Sequence, residues 1–291
     1  MDKILYYILK GATKLMHFVP IQVHYFFSDI LFFLMCHVMK YRKKVIVTNI
    51  RNSFPEKSDA EVKQIMRKFY AHFCDMVFET LYFAHISKKE ILKRLEVRGV
   101  DQVNQLTDSG RNVVLVMAHY GNWEWMSAAP ADVNAPYYHF YKPLRSKAWD
   151  RFMLESRSRW GGLLTDKKDV YRSLMGMHRQ NKVTVSGFVG DQTPKANEIQ
   201  YWTNFMNQDT PVLLGAEKIA KKLDAPIFFI HMNRKKRGYY EVDTIPLIME
   251  PKDEEPFAIT EKHVRFLEEI IRRRPELWLW SHKRWKHKRE A

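Results

Sequence analysis

Cysteine is nearly absent: 291 residues hold two, Cys36 and Cys74, and neither lies in a CxxC pair or a Cys/His cluster. That argues against a disulfide framework and a structural zinc site, and two reduced thiols fit a protein in, or facing, the cytoplasm. No GxSxG occurs, so serine-hydrolase chemistry has no starting point. GxGxxG, P-loop and HExxH sequences are also missing, which leaves nucleotide binding and a metalloprotease-type zinc site without a signal. The chain has no internal repeat and no low-complexity tract. No small-residue cleavage site follows a short apolar core, so a cleaved signal peptide is not expected. Acidic residues are in deficit, 33 Asp and Glu against 48 Lys and Arg, a net charge of +15. Such an excess implies an anionic partner: nucleic acid, a membrane surface, a phosphorylated substrate or an acidic carrier.

What is present is apolar and aromatic: 46% hydrophobic and 14% aromatic residues, enough for a sizeable core. The first 40 residues are rich in Ile, Leu, Phe, Tyr and Met but form no clean membrane span. Lys10 and Lys14 interrupt their first part, and Pro20, Gln22, His24, Ser28, Asp29 and His37 interrupt the second, where a span wants about 20 mostly apolar residues. An amphipathic or re-entrant segment in the membrane interface accounts for this mixture, and Lys40, Arg42, Lys43 and Lys44 would then meet anionic headgroups. The alternative is a buried amphipathic hairpin of a soluble protein. The segment 1–44 is read as membrane-associated helices and 45–291 as a catalytic domain.

Ser58 is placed to cap a long amphipathic helix over 60–85, where Val62, Ile65, Met66, Phe69, Phe73, Met76, Val77 and Leu81 recur at helical spacing. Beyond residue 99 strands alternate with helices. Strands are expected at 112–117, 137–141, 182–189, 226–232 and 239–244, and helices at 123–129, 146–160, 170–180, 212–223 and 260–273. The fold class this gives is α/β, a mostly parallel mixed sheet covered by helices, with the membrane-associated helical segment in front.

Four blocks carry candidate chemistry. In Ala118-His119-Tyr120-Gly121-Asn122-Trp123-Glu124-Trp125, His119 and Glu124 would lie far apart around a regular helix, roughly 140° at about 100° per residue. They can meet if a strand ends at His119 and a helix, capped by Asn122, begins at Trp123. Glu124 would then orient the imidazole as a general base at the carboxyl end of a buried strand. The second block, Tyr141-Lys142-Pro143-Leu144-Arg145 with Lys147, Asp150 and Arg151 beyond it, offers Lys142 and Arg145 to a phosphate or carboxylate. The third, Val185 to Pro194, runs a strand into Gly190-Asp191-Gln192, so that Asp191 could share the cleft with His119 or simply stabilise a turn. The fourth, Pro275-Glu276-Leu277-Trp278-Leu279-Trp280-Ser281-His282-Lys283-Arg284-Trp285-Lys286, interleaves Trp with cations. It suits nucleic acid or a membrane interface, and the apolar amino terminus favours the membrane. For zinc, Asp191 or His231 would have to complete a set with His119 and Glu124, and nothing in the spacing demands it.

Together these blocks resemble the bacterial lipid A late acyltransferases, the lauroyl/myristoyl transferase family within the lysophospholipid/glycerol-3-phosphate acyltransferase superfamily. The likeness rests on His119-Tyr120-Gly121-Asn122-Trp123-Glu124, Tyr141-Lys142-Pro143-Leu144, Asp191-Gln192, Gly215-Ala216-Glu217-Lys218-Ile219-Ala220 and the block from Pro275 to Trp285. The amino-terminal stretch ending Tyr41-Arg42-Lys43-Lys44 and the Asn52-Ser53-Phe54-Pro55 turn add to it, in the family's order over essentially the whole chain. Two positions depart from the common pattern: Lys142 stands where Arg is usual, and Glu124 where many relatives carry Asp. The resemblance implies transfer of an acyl chain from a thioester on acyl carrier protein or coenzyme A to a lipid hydroxyl, with no other cofactor and no metal. His119 is the implied base and Glu124 its partner, with Asn122, Lys142, Arg145, Asp150, Asp191 and Gln192 as implied substrate-binding residues. The implied partners are acyl carrier protein, a membrane lipid acceptor and the membrane surface, not nucleic acid. The implied location is the bacterial inner membrane with the site facing the cytoplasm. Acylation of a glycerophospholipid or an aminoacyl lipid uses the same motif chemistry. From a different class, a basic nucleic-acid-binding protein would use the charge and the Trp-rich tail.

Overall fold

A computed structural model describes residues 2–16, 18–166 and 168–289, without the side chains of residues 130 and 131. Helix α1 (Asp2–Met16) leads to α2 (Ile21–Phe33), which runs on into a π-helical turn, Leu34–Val38. Helices α3 (Lys43–Ser53) and α4 (Asp59–Phe83) follow. The start of α4 is fixed as expected by Ser58, whose hydroxyl accepts from the Glu61 amide while the Glu61 carboxylate accepts from the Ser58 amide. Then come α5 (Lys88–Arg94), β1 (Leu95–Arg98), α6 (Val100–Asp108), β2 (Val113–Met117), a 3₁₀ stretch Trp123–Asp132 and β3 (Tyr137–Tyr141). Next are α7 (Lys147–Ser158), β4 (Leu163–Asp166), α8 (Val170–Arg179) and β5 (Val185–Val189). A small antiparallel hairpin, β6 (Trp202–Phe205) with β7 (Gln208–Pro211), precedes α9 (Gly215–Leu223). The chain ends with β8 (Ile227–Lys236), β9 (Tyr239–Ile248), α10 (Ala258–Arg273) and a 3₁₀ turn, Pro275–Leu277, ahead of an extended tail.

Seven strands form one sheet in the order β1-β9-β8-β2-β5-β3-β4. Every neighbouring pair is parallel except β8 with β9. This is the mostly parallel mixed sheet covered by helices that the alternation predicts. The short strands β1 and β4 and the β6–β7 hairpin carried no usable period-two signal, being four residues each. Strand β2 is central, and its continuous apolar run follows from burial on both faces. Val113, Leu115 and Met117 pack with Ile91, Val103 and Trp125, while Val114 and Val116 pack with Phe69, Ile219 and Ile271.

Helix α2 lies against α4 with a polar inner side. Tyr25 donates to Glu79, Ser28 donates to Asp75, and Arg237, in the β8–β9 turn, bridges Asp29 and Asp75. Its outer side exposes Phe26, Phe27, Ile30 and Phe33. The 18 residues Ile21–Val38, mean hydropathy 1.4, are long and apolar enough to cross a membrane, and 33% of them are buried against the protein.

Candidate active site

β2 and β5 are adjacent and parallel, so the residues that follow them emerge together at the carboxyl edge of the sheet. The ladder extends one step, Gly190 N donating to Met117 O at 3.1 Å, and this sets Asp191 beside His119. Asp191 Oδ1 accepts from His119 Nδ1 at 2.7 Å, and Oδ2 accepts from the His119 amide at 3.0 Å and from Trp278 Nε1 at 2.9 Å. Burial pushes the Asp191 carboxyl up, but the charge and hydrogen bond of His119, the Trp278 indole and the His119 amide outweigh it, leaving Asp191 below the ordinary Asp value. An ionised Asp191 fixes the Nδ1–H tautomer and leaves Nε2 as the basic nitrogen. Gln192 Nε2 lies 3.1 Å from that nitrogen, and the Trp123 ring meets the imidazole edge-on with centroids 5.1 Å apart.

The turn that carries His119 is over-determined. Gly121 has φ +62°, and a Cβ there would come within 3.0 Å of both the Met232 side chain and the Met232 carbonyl oxygen, so the position requires glycine. Its amide donates to Leu277 O at 3.0 Å, and its carbonyl accepts from buried His72 Nε2 at 3.2 Å. Burial and the Arg234 charge hold the His72 imidazole down at about 3, so it is neutral and can take Arg234 Nη1 on Nδ1 while giving its proton to Gly121.

Glu124 is not the carboxylate that orients His119. Arg157 of α7 takes it through two bonds, Nε to Oε2 at 2.9 Å and Nη2 to Oε1 at 2.8 Å, and Trp123 Nε1 donates to Oε1 at 3.2 Å. A bidentate guanidinium outcompetes a single imidazole N–H for a carboxylate, and a buried Asp from the neighbouring strand already satisfies that N–H. Asn122, expected to cap a helix and touch substrate, is fully buried: its Nδ2 donates to Glu79 at 2.7 Å. Glu79 accepts from Tyr25 and Tyr240 as well, and a buried carboxyl ringed by donors holds the amide more strongly than an exposed capping position does. Residues 123–129, expected as an α-helix, therefore wind as 3₁₀, with Trp125 N donating to Asn122 O and Trp125 Nε1 donating to Glu79 O.

Of the other expected ligand contacts, Lys142 and Arg145 are exposed after β3. Asp150 instead fastens this loop, accepting from the Leu144 amide at 2.7 Å. Asp191 and Gln192 both face His119 rather than open cleft. The tail overturns its membrane reading. Trp278 and Trp280 are buried, and the indoles of Trp278, Trp280 and Trp285 donate to Asp191, Pro275 O and Thr210 Oγ1, so their polar edges are spent inside the protein. Arg157 is not singled out by the sequence, and Trp278 stands out only as part of the Trp-rich block, since nothing in their spacing points to Glu124 or Asp191. Among the described residues no group of three His, Cys, Asp or Glu is arranged to hold a metal ion.

A base with a buried carboxylate orienter at the carboxyl edge of a parallel sheet suits abstraction of a hydroxyl proton. The model of the family described as bacterial lipid A biosynthesis acyltransferase matches residues 2–287. The chain is 22% identical over 268 residues to the lipid A biosynthesis acyltransferase of Haemophilus influenzae, spanning 91% of this chain and 82% of that one. It is 22% identical over 254 residues to the lipid A biosynthesis lauroyltransferase of Escherichia coli, spanning 87% and 82%. The crystal structure of the 1-acyl-sn-glycerophosphate acyltransferase of Thermotoga maritima aligns with 87% of this chain and 95% of that chain, at a TM-score of 0.36 and 13% identity.

Proposed function

The chain belongs to the bacterial lipid A biosynthesis acyltransferase family, and from that premise we propose that it transfers a fatty acyl group from a thioester to a hydroxyl of a lipid A precursor, with His119 as base and Asp191 as its orienter. The observation that carries the reading is the 2.7 Å bond between His119 Nδ1 and buried Asp191, which leaves Nε2 basic at the sheet's carboxyl edge. Nε2 takes the proton of the acceptor hydroxyl as its oxygen attacks the thioester carbonyl carbon. The tetrahedral intermediate collapses with cleavage of the C–S bond, the sulfur leaves as thiol with the proton held by Nε2, and the ester remains.

Gln192 occupies the place of the acceptor hydroxyl and must yield it. Displaced from Nε2, its amide can donate to the carbonyl oxygen as that oxygen becomes negative. The amides of Tyr120, Gly121 and Asn122 are already committed to Ala118 O, Leu277 O and Met232 Sδ, so a side chain is needed for this work. Glu124, bonded to Arg157 and to the Trp123 indole whose ring meets His119, acts as a positioning residue and not as the orienter of the base. Lys142 and Arg145 meet acceptor phosphate, and Lys142, a point charge, grips it without the bidentate fork of an Arg.

The acyl donor in this reading is acyl carrier protein, whose acidic surface complements a chain of net charge +15. Residues 1–44 hold the protein on the cytoplasmic face of the bacterial inner membrane. The polar side of α2 is tied to Asp75, Glu79 and Arg237, so the helix lies in the interface with its phenylalanines toward lipid instead of crossing. The test is lipid mass spectrometry of cells carrying wild type or His119→Ala, together with acyl transfer by the purified proteins from acyl carrier protein or coenzyme A thioesters. Loss of one acylated species with His119→Ala is expected. Identical lipid profiles would overturn the assignment.

A further inference from the structure

The tail from Pro275 to Trp285 has no part in the chemistry so far, yet it holds the catalytic turn and the orienter of the base at three points. Gly121 N donates to Leu277 O at 3.0 Å and Leu279 N donates to His119 O at 3.1 Å, the two bonds of an antiparallel β-bridge between Tyr120 and Trp278. The third contact is a side chain: Trp278 Nε1 to Asp191 Oδ2, 2.9 Å, across 87 residues of sequence. The same short segment therefore grips the base by its backbone and the base's orienter by its carboxylate.

The two Asp191 oxygens have different tasks. Oδ1 receives the imidazole N–H, and Oδ2 receives two donors in the position opposite. Asp191 is 7% exposed, so water cannot replace a lost donor cheaply. With only the His119 amide on Oδ2, the carboxylate could swing about its Cβ–Cγ bond and present Oδ1 poorly. The Trp278 ring cannot follow such a swing. It is 2% exposed and wedged against Phe205, Trp280 and Trp285 with ring centroids 5.7, 4.8 and 5.9 Å away.

We propose that Trp278 is a positioning residue for acyl transfer: its indole N–H locks the rotation of Asp191 and thereby aims His119 Nε2 at the acceptor hydroxyl. The role presupposes the acyl transfer proposed above. It makes the Trp-rich tail a brace of the active site, not a lipid or nucleic-acid anchor.

The experiment deletes one atom pair. The full-length protein is made with β-(3-benzothienyl)alanine at position 278, which keeps the ring's shape and replaces N–H by sulfur. Loss of one hydrogen bond to a charged group predicts a fall in kcat of about 10- to 100-fold, with KM for thioester and lipid changed less than about 2-fold. A carboxylate free to rotate holds the imidazole N–H less firmly, so the His119 Nδ1–H signal should broaden and exchange faster with water. That is read by ¹⁵N-histidine NMR, with His119→Gln for assignment. The other charged or titratable groups facing this site are His263 from α10, His282 and Arg284 from the tail, and Arg157 with Glu124; the substitution leaves all of them in place. The same substitution at position 280 is the control: it keeps the ring that wedges Trp278 and removes the N–H given to Pro275 O, so it should lower thermal stability and leave kcat and the His119 Nδ1–H signal where they are. An unchanged kcat and His119 Nδ1–H signal in the protein altered at position 278 would overturn the proposal, and so would equal changes in the protein altered at position 280. Should wild type transfer no acyl group at all, the acyl-transfer reading fails, and the NMR signal still decides whether Trp278 governs His119.

Discussion

Arg157 holds both oxygens of Glu124, at 2.9 and 2.8 Å, and that grip separates Glu124 from His119. The two acids near the site therefore do different work, and their substitutions should separate. Asp191→Asn keeps the shape but favours the wrong tautomer of His119, and kcat should fall about 10³- to 10⁴-fold. Glu124→Gln weakens a charge-assisted pair without touching the imidazole, so a loss of about 10- to 100-fold is expected, with the acid limb of kcat/KM unmoved. A shift of that limb in Glu124→Gln would show that Glu124 speaks to His119 after all.

Gly121 is the hinge of the catalytic turn, with φ +62° and Met232 within 3.0 Å of where a Cβ would stand. Gly121→Ala combines left-handed strain with a backbone clash, for which about 1–3 kcal/mol is the expected cost. Because the strain falls two residues from the base, activity should drop further than stability does. A thermal melt beside a kcat measurement tests this, and wild-type kcat would refute it.

Much of this was legible in the sequence, and what was not has a common cause. That Asp191 can share an edge with His119 follows from parallel strands ending together, a rule that needs only strand assignments; that it orients the imidazole, instead of stabilising a turn or touching substrate, does not. Glu124 misled because local spacing sees chain neighbours and cannot see Arg157, 33 residues on, competing for the same carboxylate. Asn122 has the right residue type for a cap, but only tertiary structure brings the buried Glu79 against it. In the tail, indoles among cations have the same composition whether they face lipid or core. The partners of the N–H groups settle which, and sequence does not list them.

Glu79 ties α2 to the catalytic turn, accepting from Tyr25 OH at 2.9 Å, Tyr240 OH at 2.7 Å and Asn122 Nδ2 at 2.7 Å. Glu79→Ala strands three buried donors, and about 3–5 kcal/mol of stability should be lost. Tyr25→Phe removes only the link to α2, and about 1–3 kcal/mol is expected. Denaturant unfolding of detergent-solubilised protein measures both, and a Glu79→Ala protein as stable as wild type would rule out a supporting role for the network.

Acid sensitivity follows from two buried histidines. Burial, with the Arg234 charge, holds His72 down at about 3, and burial holds His263 down at about 4. In the unfolded chain both titrate near an ordinary value of about 6.5. Between those values the unfolded chain carries protons that the folded protein refuses, so stability is fully present above about pH 6.5 and drains away as pH falls toward 4. Each histidine steepens the loss by about 1.4 kcal/mol per pH unit inside that window. Glu79, whose carboxyl burial raises, works in the opposite sense, so the histidines' share must be read from variants. Unfolding free energies from pH 7.5 to 5 should fall in wild type and flatten in His72→Gln and His263→Gln, each already less stable at neutral pH. Parallel pH slopes in wild type and both variants would mean that neither imidazole is kept neutral by the fold.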